Sequence, residues 1–128
     1  MKAYYGNIEK ETLENEYFRK VLFTDPRCQL VVMCLNPGEE IGSEVHHLDQ
    51  FIRVESGVGR AILNGEEMSL EDGSALVIPE GTEHNIVNIS DDHPLKLYSI
   101  YTPPEHRDGT VHKTKQEAIA DAADHYEK

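Results

Sequence analysis

Residues 61–88, AILNGEEMSLEDGSALVIPEGTEHNIVN, decide the fold. Residues 61–63 and 66–70 are short β-rich runs on either side of Asn64-Gly65. Asn-Gly is the pair that suits a two-residue type I′ turn, where both central residues take positive φ, so the two runs read as a hairpin. Asp72-Gly73 then turns the chain into residues 74–78, and Pro79-Glu80-Gly81 turns it again into residues 84–89. Strands this short, with turn residues between them, leave no stretch in which a helix could form.

The same rhythm continues on both sides. Upstream, residues 18–24 end at Asp25-Pro26, and residues 27–35 form a run apolar on both faces that Asn36-Pro37-Gly38 closes. Residues 49–55 follow and are broken by Ser56-Gly57-Val58-Gly59; downstream, residues 95–101 come after the Asp91-Asp92-His93-Pro94 turn. Strands at this spacing without intervening helices mean an all-β sandwich or closed barrel. Only the ends differ. Residues 12–17 read as a short helical or irregular lead-in. Residues 113–126 are built from helix formers, with Thr114 and Glu117 at capping-box spacing, and predict a C-terminal helix whose Ala-rich side packs weakly.

The chain of 128 residues carries 24 acidic and 12 basic side chains, a formal net charge of −12, and 38% apolar residues. That length predicts a single domain over 1–128, with the barrel core at about 28–101. A net charge of this sign argues against nucleic acid as a partner, because phosphate-backbone binding needs basic patches. No run approaches the ~20 apolar residues of a membrane span, and Met1-Lys2-Ala3-Tyr4-Tyr5-Gly6 lacks a signal-peptide core. The expectation is a cytoplasmic protein that meets neither membrane nor nucleic acid. Cys28 and Cys34 lie on one strand about 20 Å apart at ~3.3 Å per residue, too far for a disulfide, and read as buried thiols in a reducing compartment.

Two segments carry the chemistry. Gly73-x5-Pro79-x-Gly81-x2-His84-x3-Asn88 resembles the second motif of the cupin family, G-x5-P-x-G-x2-H-x3-N, at every position and gap. Gly38-x5-Glu44-x-His46-x3-Gln50-x6-Gly57 reproduces the spacing of the first motif, G-x5-H-x-H-x3–4-E-x6-G. Two ligand positions differ: Glu44 stands where the first His would be, and Gln50 where the Glu would be. The resemblance covers about residues 28–101. It implies a double-stranded β-helix, or jelly-roll barrel of the RmlC-like type, and a homodimer. It also implies one divalent metal ion in the barrel mouth, held by Glu44, His46, Gln50 and His84.

The residues themselves fit that arrangement. Glu44 and His46 are two apart and share a face if that segment is a strand. His84 follows a Pro-Gly turn at the start of a strand. Gln50 shares a face with Ile52 and Val54, which makes that face the inner one, and an inward amide without a partner costs about 1–3 kcal/mol. Relative to the usual cupin donors, the carboxylate has changed position and the charge count is unaltered, so a bound divalent ion keeps Lewis acidity. Two nitrogen and two oxygen donors suit Mn, Fe, Ni or Zn alike. His47, next to His46, is expected to face solvent, as are His93 and His125. Tyr98, His106 and His112 are candidate pocket residues.

No nucleophile triad, phosphate loop or CxxC pair is present, and Gly57-Val58-Gly59 lacks the third glycine and following helix of a dinucleotide fingerprint. The leading functional expectation is therefore a metal-dependent enzyme of dioxygenase, isomerase or lyase type acting on a small polar molecule. The alternatives are a non-catalytic module that binds a sugar or other small molecule, and a barrel that has lost its metal. Fold does not choose among these.

Overall fold

The computed structural model describes residues 2–126. Helix α1 (Ile8–Glu14) leads into strands β1 (Arg19–Thr24), β2 (Gln29–Leu35), β3 (Asp49–Ser56) and β4 (Gly59–Leu63). Strands β5 (Glu66–Leu70), β6 (Ala75–Ile78), β7 (His84–Asn88) and β8 (Leu95–Thr102) follow, then a short β9 (Val111–His112) and helix α2 (Lys115–Ala120). The strands form two antiparallel sheets, one ordered β6-β3-β8-β2-β1-β9 and one ordered β5-β4-β7. This is the mostly-β jelly roll that the turn rhythm implies.

Local chemistry accounts for the joints. Asn64 and Gly65 take φ of 50° and 82°, so the β4–β5 turn is of the expected primed type, with Leu63 opposite Glu66. At the β3–β4 turn, Gly57 has φ of 115°, and a Cβ there would lie 2.7 Å from the Pro94 carbonyl oxygen. Only glycine is accommodated at that position.

The core fills the space between the two sheets. Val31, Met33 and Leu35 of β2, Ile52 and Val54 of β3 and Leu95 and Leu97 of β8 meet Ala61 of β4 and Ile86 of β7, all fully buried or nearly so. The run over 27–35 is apolar on both faces for a reason: α1 packs outside the large sheet against β2, β3 and β8. On that outer face Val32 and Cys34 are buried as well. The Lys96 ammonium ties the helix down by donating to the Leu13 carbonyl at 2.6 Å. Cys28 is half-buried and Cys34 buried, both are free thiols, and burial pushes both pKa values up.

Both ends of the chain depart from expectation. The leading helix lies at Ile8–Glu14, earlier than residues 12–17, and is capped by the Asn7 side chain accepting from the Lys10 N–H. The C-terminal helix is confined to Lys115–Ala120, shorter than residues 113–126, although Thr114 caps it as the spacing predicts. It stops because Asp121 and Asp124 are drawn into hydrogen bonds with His112, His106 and Arg107 in the body of the protein, and tertiary partners override helix propensity. Among the described residues, no helix is long and apolar enough to cross a membrane.

Candidate metal centre

The site begins at the edge of the small sheet. Residues 40–44 run beside β7 without forming a continuous strand, making single antiparallel bridges at Glu40–Val87 and Glu44–His84. The second bridge is reciprocal. The Glu44 N–H donates to the His84 carbonyl at 2.8 Å, and the His84 N–H donates to the Glu44 carbonyl at 2.9 Å. Cross-strand partners of this kind put their side chains on one face, which brings the Glu44 carboxylate beside the His84 ring. The chain then leaves strand geometry, and the Gly81 N–H fixes the next turn by donating to the His46 carbonyl at 3.0 Å. The His46 and His84 rings end 4.9 Å apart, and one ligand atom from each of Glu44, His46 and His84 lies within 4.8 Å of the others.

Both imidazoles present the correct nitrogen. His84 Nδ1 lies 2.9 Å from the Thr82 carbonyl oxygen, which can only accept, so Nδ1 carries a proton and Nε2 is the nitrogen left available to a ligand. His46 Nδ1 lies 2.8 Å from the Glu105 carboxylate, leaving its Nε2 3.8 Å from Glu44 Oε2. A hydrogen bond at the far nitrogen is how metal-binding histidines are oriented. Burial alone would lower the His46 pKa, but the hydrogen bond to Glu105 and the charges of Glu105 and Glu44 outweigh it and raise the pKa. The same pair holds Glu105 below the usual glutamate range despite its partial burial. The two carboxylates that favour a proton on His46 favour a metal cation there as well.

Gln50 supplies the clearest sign of an additional partner. It is 4% exposed on the inner face with Ile52 and Val54, and its Nε2 donates to Ser99 Oγ at 3.2 Å. Its Oε1 is buried with no hydrogen-bond partner. Gln50 faces Tyr101 across the β3–β8 ladder, and the Tyr101 ring stands edge-on to His46 at 6.1 Å. An orphaned acceptor at this end of the barrel fits a cation or a ligand donor. The donors present, two imidazole nitrogens, a carboxylate and an amide oxygen, are of the types that hold a divalent ion.

The structure thus brings Glu44, His46 and His84 together, with Gln50 on the same inner face. The candidate pocket residues lie elsewhere. Tyr98 points out of the barrel, paired with Arg53 and Val32 and packed on Phe51. Tyr101, not Tyr98, takes the inner position on β8, and burial pushes its phenol pKa well up. His106 is buried with its Nδ1 2.7 Å from Asp124, its ring edge-on to Tyr101. His112 is buried between the Arg19 guanidinium at 3.3 Å and Asp121 at 3.0 Å. Both are occupied structurally. His47 is exposed and is not among the clustered donors.

A second group of possible ligands, His112, Asp121 and Asp124, has its charge already met. Arg107 grips Asp121 with two hydrogen bonds of 2.8 and 3.0 Å, and Arg19 lies 4.0 Å from Asp124. The two guanidinium groups supply the positive charge that these carboxylates face.

Sequence reading missed Glu105, which lies beyond both motifs. The signal available was slight: a carboxylate in Thr102-Pro103-Pro104-Glu105-His106, where two prolines stiffen the exit from the last long strand.

Comparison with known proteins agrees with this picture. The Cupin domain family matches residues 31–101. The uncharacterised protein YrkC of Bacillus subtilis is 44% identical over 126 residues, covering 93% of this chain and 67% of YrkC. The crystal structure of BH2720 from Bacillus halodurans is 44% identical, with a TM-score of 0.90 over 93% of this chain and 95% of that one. KdgF from Halomonas sp. is 27% identical, with a TM-score of 0.63 over 70% of this chain and 79% of its own. The family match runs from within β2 to Tyr101 of β8, over the strands that enclose the core and the segments that carry Glu44, His46 and His84: the chain belongs to the cupin superfamily.

Proposed function

We propose that this cupin binds one divalent ion, Mn, Fe, Ni or Zn, through Glu44, His46, His84 and Gln50, and acts through it on a small polar molecule. The observation that carries the reading is the convergence of the His46 and His84 imidazoles on the Glu44 carboxylate, with ligand atoms within 4.8 Å of one another, and the unpartnered buried Oε1 of Gln50 on the inner face. An ion held there would supply a Lewis acid for substrate oxygens. The chain's own groups would do the rest. Glu44, its side chain 40% exposed, marks the open side from which a small molecule enters. Ile52 and Val54, fully buried on the same face of β3 as Gln50, continue that face into the dry core. Tyr101, held protonated by burial, keeps its proton at Oη beside the histidines.

The test is elemental analysis of the purified chain after anaerobic reconstitution, followed by a substrate screen with and without O2. One equivalent of metal per chain and consumption of a small acid or sugar would support the enzyme. Metal without turnover would favour a binding module. Metal well below one equivalent would sink the reading.

The partner reading is a homodimer. In the strand registers, Val77, Phe51, Ile100, Leu30 and Phe23 lie opposite one another across β6, β3, β8, β2 and β1. This makes an unbroken apolar row on the outer face, with Val77 68% exposed. A second copy laid along that row would cover it. A cytoplasmic setting belongs to the same proposal, on the strength of the two free thiols.

A further inference from the structure

Glu105 reaches His46 from a segment that belongs to neither motif, and that segment is anchored at several points. Gln29, fully buried in β2, accepts from the N–H groups of Glu105 and His106 at 3.2 and 2.9 Å and donates to the His106 carbonyl at 2.8 Å. The Tyr126 N–H donates to the Glu105 carbonyl at 3.1 Å, and the Arg107 N–H donates to Asp124 at 3.2 Å. Strand β2 and the C-terminal residues therefore hold the backbone of 105–107 from both sides. The Glu105 side chain is only 20% exposed, and its carboxylate meets His46 Nδ1 at 2.8 Å. A surface glutamate pairing by chance with a histidine needs none of these anchors.

We propose that Glu105 is a positioning residue of the metal centre, acting through His46; the inference rests on the metal-binding reading above. The two nitrogens of an imidazole face away from each other, so a carboxylate seated at Nδ1 does not share the site at Nε2. What it does is fix the tautomer, orient the ring and, being anionic, make Nε2 a stronger donor. His84 has only a neutral partner, the Thr82 carbonyl, so the anionic support falls on His46 alone.

The experiment compares the full-length wild type with Glu105→Ala and Glu105→Gln, titrating Co2+ and Zn2+ against a competing chelator. Loss of such a supporting group weakens metal binding about 10–100-fold. Glu105→Ala should fall in that range. Glu105→Gln, which keeps an acceptor oxygen but loses the charge, should fall between Ala and wild type. Nitrogen-15 spectra of the Zn2+-loaded protein should show His46 protonated at Nδ1 in wild type, and that signal should broaden or shift in Glu105→Ala. A purely structural role would lower the metal-free melting temperature and leave chelator-competed affinity unchanged. Equal affinity in wild type and both variants would overturn the proposal. If Glu105→Ala does not fold, the near-isosteric Glu105→Gln decides by the same comparison. Failure of the wild type to bind either metal would instead overturn the metal-binding reading, and this inference with it.

Discussion

Asp124→Ala tests how the C-terminal segment is held. Helix α2 buries none of its own residues, which suggests an appendage that could be removed at little cost. Asp124 contradicts that. Its side chain is 7% exposed and accepts from His106 Nδ1 at 2.7 Å, the Thr110 hydroxyl at 3.1 Å and the Arg107 N–H at 3.2 Å. Burial alone would raise its pKa; the hydrogen bond from His106, with the others, holds it well below the usual aspartate range. Three hydrogen bonds to a buried carboxylate are lost, each costing about 1–3 kcal/mol where the partner is left unmet. Because His106 can stay neutral and the Arg107 N–H lies nearer solvent, the total is about 3 kcal/mol. At about 3 °C per kcal/mol for a chain of this size, the melting temperature should fall by ~10 °C. Truncation after His112 should cost at least as much, since it removes Asp121 as well.

The pH dependence of the same network has a definite sign. His106 is held below the ordinary histidine range, first by burial and further by the Arg19 charge. Its Nε2 is buried without a partner, as suits a lone pair and not an N–H. The unfolded chain takes up a proton near pH 6.5 and the folded chain does not, so stability falls as pH drops below about 6.5. Asp124 adds to the fall at lower pH. Its contribution is complete above about pH 3.9 and is lost as pH falls through the depressed folded value. Thermal unfolding followed by circular dichroism from pH 7.5 to pH 3 should show both phases in wild type, the second reduced in Asp124→Ala, where Glu105 and Asp121 still contribute to it. A melting temperature within 2–3 °C of wild type at pH 7, on the order of 1 kcal/mol, would refute the reasoning and return the segment to the status of an appendage.

Three further outcomes follow from the geometry. Glu44→Ala, His46→Ala and His84→Ala should each abolish stoichiometric metal by elemental analysis. Asp49→Ala should leave it unchanged, because Asp49 is exposed and accepts from the Glu80 N–H at 2.9 Å. Gln50→Met should weaken metal binding while leaving the metal-free protein as stable or more so in urea, since it removes an orphaned acceptor that costs about 1–3 kcal/mol. Phe51→Lys, placed mid-way along the outer apolar row, should convert a dimer to a monomer in light scattering without unfolding it.

Most of the fold was legible because turn chemistry is local. Asn64-Gly65, Asp72-Gly73 and Pro79-Glu80-Gly81 each end a strand for reasons that lie within a few residues, and the eight strands expected from 18 to 101 correspond to β1 through β8. The misreadings are non-local. Strand β9 has two residues and exists only because β1 offers it an edge, Arg19 opposite His112 and Lys20 opposite Val111. The short α2 is ended by distant arginine and histidine partners, which the helix-forming composition of 113–126 does not reveal.

The site divides in the same way. Spacing placed Glu44 and His46 on one face by strand alternation, yet only Glu44 makes a bridge, and the loop after it is held by Gly81. The pair meets because His84 is bonded directly opposite Glu44, a relation between two motifs that neither motif contains. Alternation along β8 could not say which of Tyr98 and Tyr101 faces inward, since both sets of alternating residues are largely apolar. The register decides it by setting Tyr101 opposite Gln50, whose neighbours Ile52 and Val54 are fully buried. Glu105 needs one step more. Its carboxylate arrives from a loop, positioned by Gln29 on another strand, so nothing along the sequence links it to His46. Spacing of donors can therefore be read from sequence wherever one strand or one bridge carries them. The groups that orient those donors come from elsewhere in the barrel and become visible only when the strands are assembled.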